Sequence, residues 1–206
     1  MKILNLYANI GGNRKLWGDE HEITAVELNP KIAEVYKDLW PNDTVVVGDA
    51  HEYLQQHFKE FDFIWSSPPC PTHSRLVTAK SGWGIYEYPD MRLYEEIIFL
   101  RAFFKGKFCV ENVVSYYDPL IPPIQFASHY FWTNFHFPTN GTKTYNREIG
   151  SGKKGVPVKE MELKRGFDLS KYKGIDKRLA LRDCTEPELG KHILDWAFKE
   201  EISLFK

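Results

Sequence analysis

Apolar residues recur along the chain in two alternating rhythms, one of period two and one of helical spacing. Residues 2–8, KILNLYA, alternate as a strand, and NIGGNRKLW follows as a glycine-containing turn into a short helix. HEITAVELN (21–29) predicts a second strand; PKIAEVYKDLW then places proline at a first helical position with apolar residues at helical spacing. DTVVVGD, FDFIWSSPP and KFCVENV predict three more strands, separated by the helical stretches AHEYLQQHF and MRLYEEIIFLRAF. In the fourth strand Phe61, Phe63, Ile64 and Trp65 read as buried on both faces. Pro68-Pro69 then ends any ladder or helix and fixes two φ angles, which holds Cys70 in a stiff turn. Near the C-terminus a helix after Pro187 presents Ile193, Leu194, Trp196 and Ala197 for packing back on the sheet.

This alternation predicts an α/β fold, an open, mostly parallel, doubly wound sheet with right-handed crossovers. In such sheets ligands gather at the carboxyl ends of the strands, where strand order reverses. The five predicted strands end in YANIGGN, Glu27, Asp49, PPC and Glu111-Asn112. Singly, Glu27 reads as a surface acid, Asp49 as a helix cap and the glycines as a turn. Together on one sheet edge they predict a cleft for cofactor and substrate.

Composition narrows the class. With 206 residues, 43% hydrophobic and 15% aromatic, the chain can bury a sizeable core as one domain with a small appendage. No apolar run approaches the roughly 20 residues of a membrane span, and MKILNLYANI lacks the features of a signal peptide, so a cytoplasmic protein with no membrane partner is expected. Cys70, Cys109 and Cys184, odd in number and widely spaced, predict reduced thiols and neither a disulfide framework nor a metal site. Cys109 reads as a small hydrophobe within a strand and Cys184 as a loop residue beside charges, while Cys70 in its stiff turn reads either as inert packing or as an aimed nucleophile. Formal charge is −1, yet Lys143 to Arg178 holds eleven Lys or Arg against five Asp or Glu. That run reads either as a solvated loop or as a patch for a polyanion.

The first turn has only the adjacent pair Gly11-Gly12, without the G-x-G-x-x-G spacing or the G-x-x-x-x-G-K-[ST] pattern that cradles phosphates. An adenosine ligand without phosphates fits better, with Glu27 accepting from the ribose hydroxyls and Asp49 from the adenine amino group. S-adenosylmethionine is such a ligand.

LYANIGG, VELNP, GDAHEYL, SSPPCPTHS and VENV resemble, in order, the motifs of DNA cytosine-5 methyltransferases, most closely the compact phage-type members. The resemblance implies the Rossmann-like fold of class I S-adenosylmethionine-dependent methyltransferases. It implies a catalytic Cys70 that adds to carbon 6 of a flipped cytosine, with Glu111 as its acidic partner and Asn112 positioning that carboxyl or the loop facing it. The cofactor is then held by Tyr7, Ala8, Asn9, Ile10, Gly11 and Gly12 in the first turn. Glu27, Leu28, Asp49, Ala50 and Pro68 complete that site. Pro69, His73, Ser74 and Arg75 fall on the substrate side, at the start of PTHSRLVTAKSGWGIYEYPD, which has the composition of a mobile lid with Arg75 and Lys80 for phosphate.

The chain departs from the family at Asn9, where glycine is usual, and at Pro71, where glutamine is usual. No paired-arginine strand is evident; QFASHYFWTNFHF takes about its place, read as strand core, with Gln125 and His129 as polar candidates. The basic run is the expected recognition segment, with Lys153, Lys154, Lys164 and Arg165 on phosphate. The expected division is thus a catalytic part (1–140), a small appended basic target-recognition segment (141–178) and a closing helix (179–206). Double-stranded DNA is the expected partner of a monomer. The rival readings are the same chemistry on RNA, transfer to an exocyclic amino group, and a catalytically inactive nucleic-acid-binding relative. Amino-group transfer calls for an aromatic residue where this chain has Cys70.

Overall fold

The computed structural model describes residues 1–75, 88–139 and 155–199. Seven strands, β1 (Lys2–Leu6), β2 (Glu22–Glu27), β3 (Thr44–Val47), β4 (Phe63–Ser66), β5 (Lys107–Val113), β6 (Ile124–Phe126) and β7 (His129–Thr133), form one sheet in the order 3-2-1-4-5-7-6. Neighbours among the first five pair in parallel, and β7 runs antiparallel to both β5 and β6. Strand order turns between β1 and β4, both of which end on the same edge.

Period two sorts the side chains onto two faces. Leu4, Leu6, Val26, Ile64, Phe108 and Val110 lie against α2 (Ala50–His57) and α3 (Arg92–Phe103). Ile3, Ile23, Phe63, Trp65 and Cys109 lie against α6 (Pro187–Ala197), while Ala25 meets Tyr36 of α1 (Pro30–Leu39). Both faces are covered, as the doubly wound expectation requires. The C-terminal helix packs as predicted, with Ile193, Leu194 and Ala197 buried and Trp196 partly so.

QFASHYFWTNFHF, read as a single strand core, is a hairpin. Ala127, at φ 53°, and Ser128 turn β6 back into β7 without the Asn or Gly usual at such a turn. The described part of the basic run also folds: α4 (Val158–Arg165) and α5 (Lys177–Arg182) build a third core in which Met161, Phe167, Leu169 and Leu181 pack on Ile10 of the first turn and Val35 of α1. Helix α5 spans the expected boundary at 178/179.

Candidate active site

A cleft of about 1280 Å³ opens where strand order turns, lined by the ends of β1, β2, β4 and β5 on one side and by α5 on the other. Strand β4 stops at Ser66 because Pro68 and Pro69 bring no amide donor to a ladder. Asn112 Nδ2 donates to the Pro68 carbonyl at 3.0 Å, so β5 clamps the loop. Beyond the prolines the Cys70 carbonyl accepts from the His73 and Ser74 amides, both at 3.0 Å, which closes one tight turn. Ser74 bridges to Ser115, and Pro69 stands exposed at the cleft.

The Cys70 thiol is half-buried, and burial first, then the Glu111 carboxylate, push its pKa up to about 11. Glu111 is buried at the end of β5, with Oε1 3.6 Å from His129 Nε2 across the β5–β7 pairing. His129 therefore faces the site. Gln125 is exposed on β6 and does not line the cleft. His73 is not a solvated loop side chain: it is 1% exposed, with Nδ1 2.6 Å from the Tyr117 hydroxyl, and burial lowers its pKa so that it stays neutral. The residue lines the cleft, and its buried Nε2 has no hydrogen-bond partner among the described residues.

On the cofactor side the first turn enters left-handed backbone at Tyr7 (φ 55°), Asn9 (φ 48°) and Gly11 (φ 78°). Asparagine tolerates that region better than most residues, which accounts for its standing in for glycine. The Asn9 side chain donates to the Ala180 carbonyl at 2.8 Å and so ties the turn to α5. A Cβ on Gly12 would lie 2.3 Å from the Thr185 carbonyl, so only glycine fits there. Glu27 accepts from the Asn9 and Asn29 amides, one on each oxygen and both at 2.9 Å, which orients its carboxylate while leaving lone pairs for a ligand. Asp49 caps α2 through Oδ1, to the His51 and Glu52 amides; its Oδ2 lies 3.5 Å from Arg92. Leu28, between the two acids in the lining, is 69% exposed. Ile10 and Gly11 are buried behind the turn, and Ala8, Ala50 and Pro68 are buried at the cleft wall. Two oriented carboxylates, an exposed apolar side chain and no phosphate cradle suit the hydroxyls, amino group and adenine of S-adenosylmethionine.

A buried group under this edge lacked any sequence-based expectation. Glu96 of α3 is 0% exposed and accepts from Tyr7 Oη (2.6 Å) and Ser66 Oγ (2.5 Å), with His51 Nδ1 at 3.1 Å. One carboxylate thus joins the β1 turn, the β4 end and the α2 start. Its hydrogen bond to His51 is the main cause of that histidine's raised pKa, and burial together with Glu96 raises Tyr7. The signal was available: Glu96 falls at helical spacing with buried Leu93 and Leu100.

Several expected DNA contacts sit elsewhere. Arg165 is buried and pairs with Glu186 at 2.8 Å, so it is not the solvent-facing phosphate ligand expected; the third core has pulled it inward. Lys164 pairs with Glu160 one helical turn away, at 2.9 Å. Cys184 lies in a loop beside charges, as expected, but its thiol is buried under Gly12, and burial pushes its pKa up to about 12. Arg75 is exposed beside the Cys70 turn. Lys153, Lys154 and most of the expected lid, Lys80 included, lie outside the described residues.

Curated protein sequences give no match. Among solved structures, the Entamoeba histolytica methyltransferase EhMeth superposes with a TM-score of 0.54 at 9% identity, covering 96% of this chain and 98% of its own, a likeness of fold. Fibrillarin from Aeropyrum pernix, solved with natively bound S-adenosyl-L-methionine, gives a TM-score of 0.36 at 14% identity, over 53% of this chain and 44% of its own. A sequence model of C-5 cytosine-specific DNA methylases matches residues 1–113, the half of the chain that carries the turn, both strand-end acids, Cys70 and Glu111. The chain belongs to the C-5 cytosine-specific DNA methylase family, whose methyl donor is S-adenosylmethionine.

Proposed function

We propose that this methyltransferase acts on carbon 5 of cytosine in double-stranded DNA through a covalent adduct on Cys70, working as a cytoplasmic monomer. The observation that carries the reading is the convergence of Cys70 and Glu111, from the ends of paired strands β4 and β5, on the cleft that also holds Glu27 and Asp49. A paired cytosine is stacked on both sides, so the base must leave the helix to enter such a cleft. When bound, S-adenosylmethionine supplies an electrophilic methyl group for carbon 5. Glu27 and Asp49 hold its ribose and adenine.

Carbon 5 of cytosine is a poor nucleophile. The Cys70 thiolate forms a bond to carbon 6 while Glu111, in its protonated form, gives its proton to ring nitrogen 3; the ring electrons are thereby placed at carbon 5. After methylation the carbon 5 proton passes to solvent water, the carbon–sulfur bond breaks so that Cys70 departs as thiolate, and the proton on ring nitrogen 3 returns to Glu111. Asn112 keeps the thiol's loop seated on β5 throughout. Tyr7 through Gly12, with Leu28, Ala50 and Pro68, shape the cofactor side; Pro69, His73, Ser74 and His129 shape the side from which the base arrives.

Residues 1–140 serve catalysis, 141–178 DNA contact and 179–206 closure of the sheet. No described helix is long and apolar enough to cross a membrane. Incubation with duplex DNA and with transfer RNA, followed by digestion to nucleosides and mass analysis, tests the reading. 5-Methylcytosine in DNA alone is expected; product in RNA alone, or N4-methylcytosine, overturns it.

A further inference from the structure

We propose that Arg182, at the end of α5, is the phosphate ligand of the cleft, holding the backbone of the nucleotide whose base is presented to Cys70. The proposal rests on the reading of this cleft as the place where DNA is modified.

The cleft is acidic. Six Asp or Glu line it against three Arg and no Lys among the described residues, so a polyanion cannot approach unless a cation meets it locally. Two of the arginines are committed. Arg165 is buried against Glu186, and Arg92 lies beside Asp49 at the adenine side. Arg182 is not buried, and its carboxylate partner is its chain neighbour Asp183 and not an acid of the cofactor side. Its side chain is 50% exposed, and Nε donates to Asp183 Oδ1 at 2.9 Å, leaving both terminal nitrogens without a partner among the described residues. A guanidinium with two unspent nitrogens is suited to phosphate oxygens.

Its base is fixed. Asp176 caps α5 by accepting from the Leu179 amide at 2.9 Å, and Asn9 holds the Ala180 carbonyl two residues before Arg182. The nucleophile is within reach of its field: among the side chains that influence the Cys70 thiol, Arg182 lowers its pKa, whereas Glu111 and Asp183 raise it. Reciprocally, the hydrogen bond to Asp183 and, to a smaller extent, Cys70 raise that of Arg182. Asp183 neutralises the arginine in the free protein and is the group a phosphate displaces.

Full-length Arg182→Gln, Arg182→Lys and Asp183→Asn proteins test this by duplex-DNA affinity across a salt series, with calorimetric S-adenosylmethionine affinity as the check on folding. Arg182→Gln is expected to weaken DNA binding several-fold and to reduce the salt slope by about one. Arg182→Lys should recover the slope, and Asp183→Asn should bind DNA at least as well as wild type. An unchanged slope in Arg182→Gln overturns the proposal. So does equal weakening by Asp183→Asn, which marks the pair as structural support. DNA binding is read without turnover, so a wild-type protein that forms no 5-methylcytosine fails the reading of Cys70 while Arg182 is judged on its own slope.

Discussion

The two walls of the cleft were built by different rules. One wall is built from the carboxyl ends of the parallel strands, which carry the polar residues: Glu27 as the last residue of β2, Asp49 after β3, Cys70 beyond the double proline of β4, Glu111 near the end of β5. The other is α5 and its flanks, positioned by a separate apolar core and by three polar ties: Asn9 to Ala180, Lys15 Nζ to the Arg165 and Gly166 carbonyls, and Arg165 to Glu186. Backbone geometry places the chemistry, whereas side-chain packing places the wall that faces it. Substitutions in the first should therefore cost activity or cofactor more than stability, and those in the second should loosen a wall.

The largest effect belongs to Cys70. Cys70→Ser should abolish methyl transfer, a loss of about three orders of magnitude or more, with S-adenosylmethionine and DNA binding largely kept. Wild-type protein with a 5-fluorocytosine duplex should yield a denaturation-resistant adduct that peptide mapping assigns to Cys70; an adduct on Cys109 or Cys184 would sink the assignment. With the thiol raised to about 11, alkylation of the ligand-free protein should accelerate about tenfold per pH unit from 7 to 10, because the thiolate fraction grows by that factor below the pKa. Cys70 should label ahead of the buried Cys109 and Cys184.

Next comes the acid at the end of β2. Glu27→Ala removes the acceptor for two backbone amides and for the ribose, and hydrogen bonds to a charged group contribute about 1.5–3 kcal/mol each, so cofactor affinity should fall roughly 10- to 100-fold. Calorimetry reads it, and wild-type affinity would take Glu27 out of the site. Smaller again is Glu96→Gln, which leaves one of its partners facing an amide and should cost about 1–3 kcal/mol of stability. His51 gives this variant a pH signature. Its folded pKa is raised, so the pair contributes fully below the unfolded value near 6.5 and is lost as pH rises through the raised one. Denaturant midpoints of wild type and variant should converge upward from about pH 6.5; a gap constant from pH 5 to 9 would deny His51 any part in it.

The first wall was largely legible in the sequence and the second was not, for a physical reason. Strands announce themselves by period two and by what halts them, so residues at their ends can be placed from spacing alone, down to Cys70 and Glu111. Packing across distant segments leaves no period. Arg165 sits in a run of basic residues and reads as a phosphate ligand, yet Glu186 draws it inside. Cys184 sits among charges and is covered by Gly12. The turn at Ala127-Ser128 carries neither Asn nor Gly, so the stretch reads as strand core with no hairpin in it.

The smallest effect is the most direct test of how the walls are joined. Asn9→Gly deletes the Nδ2 bond to the Ala180 carbonyl, worth about 0.5–1.5 kcal/mol net, but it also relieves an asparagine held at φ 48° in a region glycine enters freely. The two terms oppose, so global stability should change by less than about 1 kcal/mol. What should change is local. Freed of its tie, the Ala180 carbonyl turns to solvent, and amide exchange across α5, residues 177–182, should quicken while exchange in β1 and β4 stays at wild-type rates. If exchange in α5 is unaltered, the third core alone holds that wall, and the family's usual glycine would serve here equally well.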